Sequence, residues 1–115
     1  MALDEKNNRL FVGCRNPARL RIINTETGKD ISTENCSGDA DDVFYDSISN
    51  LVYVSAGKGF IDVFRANEND WVHINHVGTK NGARTSLLIS SEKKFLLAVP
   101  AHAGNNAALW IYNVE

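Results

Sequence analysis

The chain repeats itself. Leu3-Asp4, four further residues and Arg9-Leu10-Phe11-Val12-Gly13 align with Tyr45-Asp46, four residues and Leu51-Val52-Tyr53-Val54-Ser55 at an offset of about 42 residues. Ile89-Ser90 followed by Lys94-Phe95-Leu96-Leu97-Ala98 makes a third copy, displaced by about 43 to 44. Downstream of each, Arg21-Ile22-Ile23-Asn24, Asp62-Val63-Phe64-Arg65 and Trp110-Ile111-Tyr112-Asn113 answer one another. The repeat units run over about residues 1–38, 39–82 and 83–115.

A period in the low forties fits stacked helices or small sheets of short strands, and the local pattern decides between them. Helices would space apolar residues with a 3.6-residue period, and no such amphipathic stretch occurs. The apolar residues instead come in short runs rich in Val, Ile, Phe and Tyr. The second unit reads most clearly, with strands near Asp42–Tyr45, Leu51–Ser55, Phe60–Arg65 and Trp71–Val77. Its first three strands are apolar on both faces, as in sheets covered on both sides. DEKNNR, DSISN and SSEKK are turns between the first and second strands, and NTETGK and RANEND between the third and fourth, all rich in reversal-forming Asn, Asp, Gly and Ser. In the first unit, Leu10–Gly28 is expected to hold a strand, a polar loop of about seven residues, a second strand and a turn.

The fold class that follows is all-β: a partial β-propeller of about two and a half to three blades, each a three- or four-stranded antiparallel sheet. Met1–Asp4 supplies the inner strand of the first blade, and the last blade stops after its third strand. Strands this short cannot bury both faces of one blade, so each blade depends on its neighbours.

RLFVG, NLVYVS and KFLLAV, with the following LRIINTETG and FIDVF, resemble the YVTN-type repeats of bacterial β-propeller proteins. The third unit departs from that pattern with Phe-Leu-Leu for Leu-Tyr-Val and a longer loop, Pro100 to Ala107. The resemblance implies a ring of about seven blades, more than twice this length. It therefore implies that the chain corresponds to the C-terminal blades, either as a truncated piece or as a unit that completes a ring by self-association. It leaves the compartment open: members are often exported, which allows a periplasmic setting, and no signal peptide precedes the first strand.

A net charge of -2, with Lys and Arg scattered singly, gives no footprint for a phosphate backbone or an anionic membrane surface. No apolar run approaches the ~20 residues of a membrane helix. Neither nucleic acid nor a membrane is expected as a partner.

Blade topology sorts loops onto two rims, and polar residues from different repeats converge on one of them. That rim carries Cys14, Arg15, Asn16 and Arg19; Asp39, Asp41 and Asp42; Lys58; Lys80, Asn81 and Arg84; and His102, Asn105 and Asn106. The candidate ligand-binding residues are Asp41, Asp42, Arg84, Arg15, Asn16 and His102. Asp41 or Asp42 opposite Arg84 reads first as an ion pair between blades, and second as a hold on a polar or anionic ligand.

Other patterns carry less. Asp39-Ala40-Asp41-Asp42 lacks the Gly and distal Glu of a calcium loop, and strand alternation turns Asp42 away from Asp41. His73 and His76, three apart on a strand, are expected on opposite faces and so unable to share a metal. Cys14, ending one strand, and Cys36, on the strand two places away, are separated by about 9 to 10 Å, beyond the ~7 Å reach of a disulfide, and are expected as free thiols. Asn35-Cys36-Ser37 matches the glycosylation pattern by chance. Ala56-Gly57-Lys58-Gly59 lacks the spacing of a phosphate loop, and no G-x-S-x-G elbow occurs. No catalytic residue, metal site or cofactor is expected. The sequence thus favours a non-catalytic binding or scaffold propeller that offers a polar rim to a protein or small polar ligand, with self-association or further blades completing it. The alternative, implied by the resemblance, is a lactonase-like or oxidoreductase-like enzyme with most of its active site in other blades.

Overall fold

A computed structural model describes residues 1–66 and 71–114. Among these residues eleven strands form: β1 (Ala2–Asp4), β2 (Arg9–Arg15), β3 (Ala18–Asn24), β4 (Asp30–Asn35), β5 (Ala40–Asp46), β6 (Leu51–Ala56), β7 (Phe60–Ala66), β8 (Trp71–Gly78), β9 (Thr85–Ile89), β10 (Lys94–Val99) and β11 (Ala108–Asn113). They make three antiparallel sheets, β1-β2-β3-β4, β5-β6-β7-β8 and β9-β10-β11. Among the described residues the fold is all-β with no closed barrel, and its sheets are blade-like, each one sequence repeat.

The repeat extends to the backbone. Asn8, Asn50 and Lys93, which close the turn between the first and second strands of each sheet, all adopt left-handed φ, 53°, 57° and 53°. Their carbonyls accept N–H bonds from Thr25, Ala66 and Val114 at 3.0, 2.7 and 2.9 Å. Asparagine suits this conformation because its short polar side chain lowers the left-handed penalty. Lys93 has no such help.

Strand alternation builds two core layers. Phe11, Leu20 and Ile22 of the first sheet meet Val43, Val52, Val54 and Phe64 of the second. The opposite face of that second sheet, with Tyr53, Ile61 and Val63, meets Phe95, Leu97 and Val99 of the third. Every residue of β6 is buried as a result. Tyr53 stacks on Phe95 with ring centroids 5.5 Å apart, and Phe11 on Tyr45 at 5.1 Å. β5 packs against β1 and β2 on one side and β9 on the other, holding the stack along its inner edge.

The outer face of the third sheet is apolar and open, and that of the first sets exposed Leu3 on the same face as the Arg21–Asp30 ion pair. Leu87, Leu109 and Ile111 on the third sheet are 50%, 59% and 63% exposed, and Leu3 on the first is 52%. The chain's accessible surface is 6836 Å², against about 6,200 Å² for a compact monomer of this size.

Two sequence expectations change, and a third falls outside the described residues. The loop in Leu10–Gly28 shrinks to Asn16 and Pro17, because polar Cys14 and Arg15 continue β2 and pair with Arg19 and Ala18. Cys36 lies just past β4 rather than on it. It and Cys14 are both free thiols. The expected RANEND turn falls mostly on residues 67–70, outside the described residues.

Candidate functional site

The rim of loops expected to carry polar residues does bring the three repeats together, with different partners. Arg15 closes β2, Asp39 precedes β5 in a left-handed conformation, φ 60°, and Arg84 precedes β9. Arg84 Nη1 donates to Asp39 Oδ2 at 2.9 Å, while Arg15 Nε lies 3.4 Å from Asp39 Oδ1 and its Nη2 donates to Asp41 Oδ1 at 2.8 Å. The expected pairing of Arg84 with Asp41 or Asp42 is thus replaced by one with Asp39. The reason is a register shift between Ala40 and Asp42 that makes Asp41 an extra residue in β5. Asp41 turns to the first sheet, and Asp42 Oδ2 accepts the Ser86 N–H of the third at 2.8 Å. Buried Ser55 adds a bond from its Oγ to the Arg84 carbonyl at 2.6 Å. The hydrogen bond to Asp41 and the charges of Asp39 and Asp41 raise the Arg15 pKa. These groups fasten sheet to sheet. Asn16 stands apart, exposed at the tip of the β2–β3 hairpin.

His102 lies away from this relay, exposed in the long loop after β10, where its backbone pairs with Asn105 at 3.1 and 2.9 Å. It shares a groove of about 330 Å³ with Lys80, Asn81, Asn105, Asn106 and Trp110. Trp110 lies on β11, as read from the sequence, yet also lines the groove.

The opposite rim holds a larger cleft, about 940 Å³, between the first and second sheets. Asp4, Lys6, Arg9, Tyr45, Asn50 and Trp71 are among its walls. Arg9 Nη2 lies 2.6 Å from Asp4 Oδ2, the two side chains being 9% and 3% exposed, and its guanidinium sits 5.1 Å over the Trp71 ring. Burial would raise the Asp4 pKa, but hydrogen bonds from Asn7 and Arg9 and the Arg9 charge outweigh it and hold the carboxyl below its ordinary value. Sequence reasoning passed over this rim because Asp4 and Arg9 read there as one strand end and one turn.

A third cluster overturns an expectation. His73 and His76 lie on one face of β8. Asp62 pairs with His76 and Val63 with Asn75, but Phe64 pairs with His73, leaving Ile74 as an extra residue. That bulge reverses the alternation, so both imidazoles join Asp62 on the side facing the first sheet. Asp62 Oδ1 lies 3.1 Å from His73 Nε2 and 2.7 Å from His76 Nδ1. Its Oδ2 accepts the Ser37 N–H at 2.6 Å. His73 stacks on Phe64 with centroids 4.6 Å apart, and His76 on Phe60 at 4.1 Å. The Asp62 side chain is fully buried. Burial pushes its pKa up, but hydrogen bonds from His76 and Ser37 and the nearby His73 outweigh that and leave it lowered. Close by, burial and the Asp62 charge push the Cys36 thiol up to about 11, so it is not a thiolate at neutral pH.

No protein-family model matches this sequence, and no curated protein matches it.

Proposed function

We propose that the chain is a non-catalytic, propeller-type scaffold that joins further sheets of its own kind end to end and offers a polar groove on one rim to a small polar ligand. One observation carries the reading. Phe11, Tyr53 and Leu96 occupy equivalent positions in the three repeats. Phe11 is covered by the second sheet and Tyr53 by the third, whereas Leu96 lies among exposed Leu87, Leu109 and Ile111. The converse holds at the other end. Val52 and Phe95 are covered by the preceding sheet, while their equivalent Leu10 lies beside exposed Leu3 on the open face of the first. The exposed end of the stack therefore repeats a surface that the other sheets bury, and its complement is the opposite end of a second copy.

The rim chemistry agrees with binding rather than catalysis. Among the described residues, Asp39 and Asp41 are engaged by arginines and Asp42 by a backbone amide, all between sheets. The groove around His102 keeps Lys80 and three asparagines for a polar ligand, with an indole along one wall.

Sedimentation velocity over a range of protein concentrations tests this. Mass is expected to rise with concentration, and Ile111→Lys, which places a charge on the open face without touching the covered layers, is expected to return the chain to monomer. A monomer at all concentrations, unchanged by that substitution, refutes end-to-end joining. Amide chemical-shift changes on adding small carboxylates or monosaccharides are expected at Asn81 and His102–Asn106. Changes confined to Asn7, Asn50 and Trp71 would move the binding role to the opposite rim.

A further inference from the structure

We propose that Asp62, His73 and His76 form a binding site for a divalent transition-metal ion of borderline softness, with Zn²⁺ as the natural probe. The three donor atoms lie within 4.8 Å of one another. Two imidazoles and one carboxylate are the donor set that such ions take, whereas calcium and magnesium prefer all-oxygen sites.

The site is built rather than accidental in its geometry. The bulge at Ile74 is what brings the histidines to one face, and bulges of this kind re-aim side chains. Phe60 and Phe64 stack against the two rings at interplanar angles of 17° each, which fixes the direction of their nitrogens. Ser37 fixes the carboxylate from behind through its backbone N–H, the outer contact that orients metal ligands. Among the described residues, no lysine or arginine pairs with Asp62. Its buried charge therefore faces two imidazoles and nothing more basic.

The distances require the two imidazoles to shift about a fixed carboxylate. Zinc holds nitrogen and oxygen at about 2.0–2.2 Å, which sets neighbouring donors of a tetrahedron about 3.3–3.5 Å apart. The two nitrogens now stand 3.1 and 2.7 Å from Asp62 Oδ1 and within 4.8 Å of one another, so admitting an ion needs them to draw back from the carboxylate by about 0.2–0.8 Å. The imidazoles can yield, being 39% and 50% exposed, while the carboxylate stays fixed. Each must present a lone pair to the ion, so in the neutral ring the proton moves to the other nitrogen, Nδ1 of His73 and Nε2 of His76. The fourth position opens to solvent on the exposed side and takes water or a ligand atom.

The test is titration of the full chain, stripped of metal with a chelator, with Zn²⁺ by calorimetry, together with nitrogen-detected NMR of the histidine rings. The expected result is one ion per chain, with the ring signals of His73 and His76 shifting and His102 unmoved. The double substitution His73→Gln and His76→Gln is expected to weaken binding at least about 100-fold, and His102→Gln to leave it unchanged. Both histidines are exposed, so the glutamine variants keep the fold, which circular dichroism verifies. Two outcomes overturn the proposal. Equal affinity in the double variant means adventitious binding elsewhere. Ring signals that stay put at millimolar Zn²⁺ mean that the cluster is only a hydrogen-bonded clamp between β7 and β8.

Discussion

Gly57→Ala isolates the contact that fastens the three sheets on the rim. A Cβ built at Gly57 would stand 2.0 Å from Asp39 Oδ2, 2.8 Å from its Cγ and 3.1 Å from Arg84 Nη1. The carboxylate must leave. Its displacement breaks the Asp39–Arg84 pair, whose side chains are 30% and 43% exposed and which is worth about 0.2–1 kcal/mol after solvent screening. Forcing Asp39 off its rotamer costs a further ~0.5–1.5 kcal/mol. Opposing both, alanine restricts the unfolded chain and returns about 0.4–1 kcal/mol. The expected single-variant loss is therefore modest, about 0–2 kcal/mol, and the decisive quantity is the coupling to position 39. In an Asp39→Gly background, which tolerates the left-handed backbone there, Gly57→Ala has nothing to collide with and is expected to be neutral or stabilising. Urea unfolding of the four proteins in the cycle should give a coupling of about 1–2 kcal/mol. Repetition at 1 M salt should shrink the part due to the ion pair, since the screening length falls to about 3 Å. Equal cost of Gly57→Ala with and without the Asp39 side chain would refute the contact and the relay built on it.

Two other substitutions probe the fold away from the rim. The Asp4 carboxyl is held below its ordinary value in the folded chain, so the unfolded chain binds more protons as the medium turns acid. Its stabilisation is full above the unfolded value near 3.8 and is lost as pH falls through the folded one, and acid unfolding should flatten in Asp4→Asn. At neutral pH that substitution leaves Arg9 buried without its partner and is expected to cost about 3 kcal/mol by denaturant unfolding. Lys93→Asn restores at the third turn the residue that the other two carry at left-handed φ. It is expected to raise stability by up to about 1 kcal/mol, read as an upward shift in thermal midpoint.

The strands were legible because their signal is periodic and local. Leu51–Ala56 reads as a run apolar on both faces, and the fold buries every residue of it. The long loop at Pro100–Ala107 and the three-stranded last sheet were equally visible, since each follows from counting residues between apolar runs. What escaped depends on the partner strand. Whether His73 and His76 share a face is decided by one unpaired residue, Ile74, and a bulge is a property of two strands together. The partner of Arg84 escaped for a similar reason: Asp39, Asp41 and Asp42 are alike in sequence, and only the register shift at Ala40 sorts them. The short hairpin at Asn16-Pro17 was hidden because Cys14 and Arg15 are polar enough to read as loop, although their backbones pair.

Ile74 divides β8 into two phases. Before it, Trp71 and His73 look toward the first sheet; beyond it, His76 does, while Val77 packs with the layer against the third. Length is thus an editable property of the outer strand. A codon gained or lost there would exchange which side chains greet each neighbour, and the surface chemistry of the stack can change without any edit to β6, which is hemmed in on both sides.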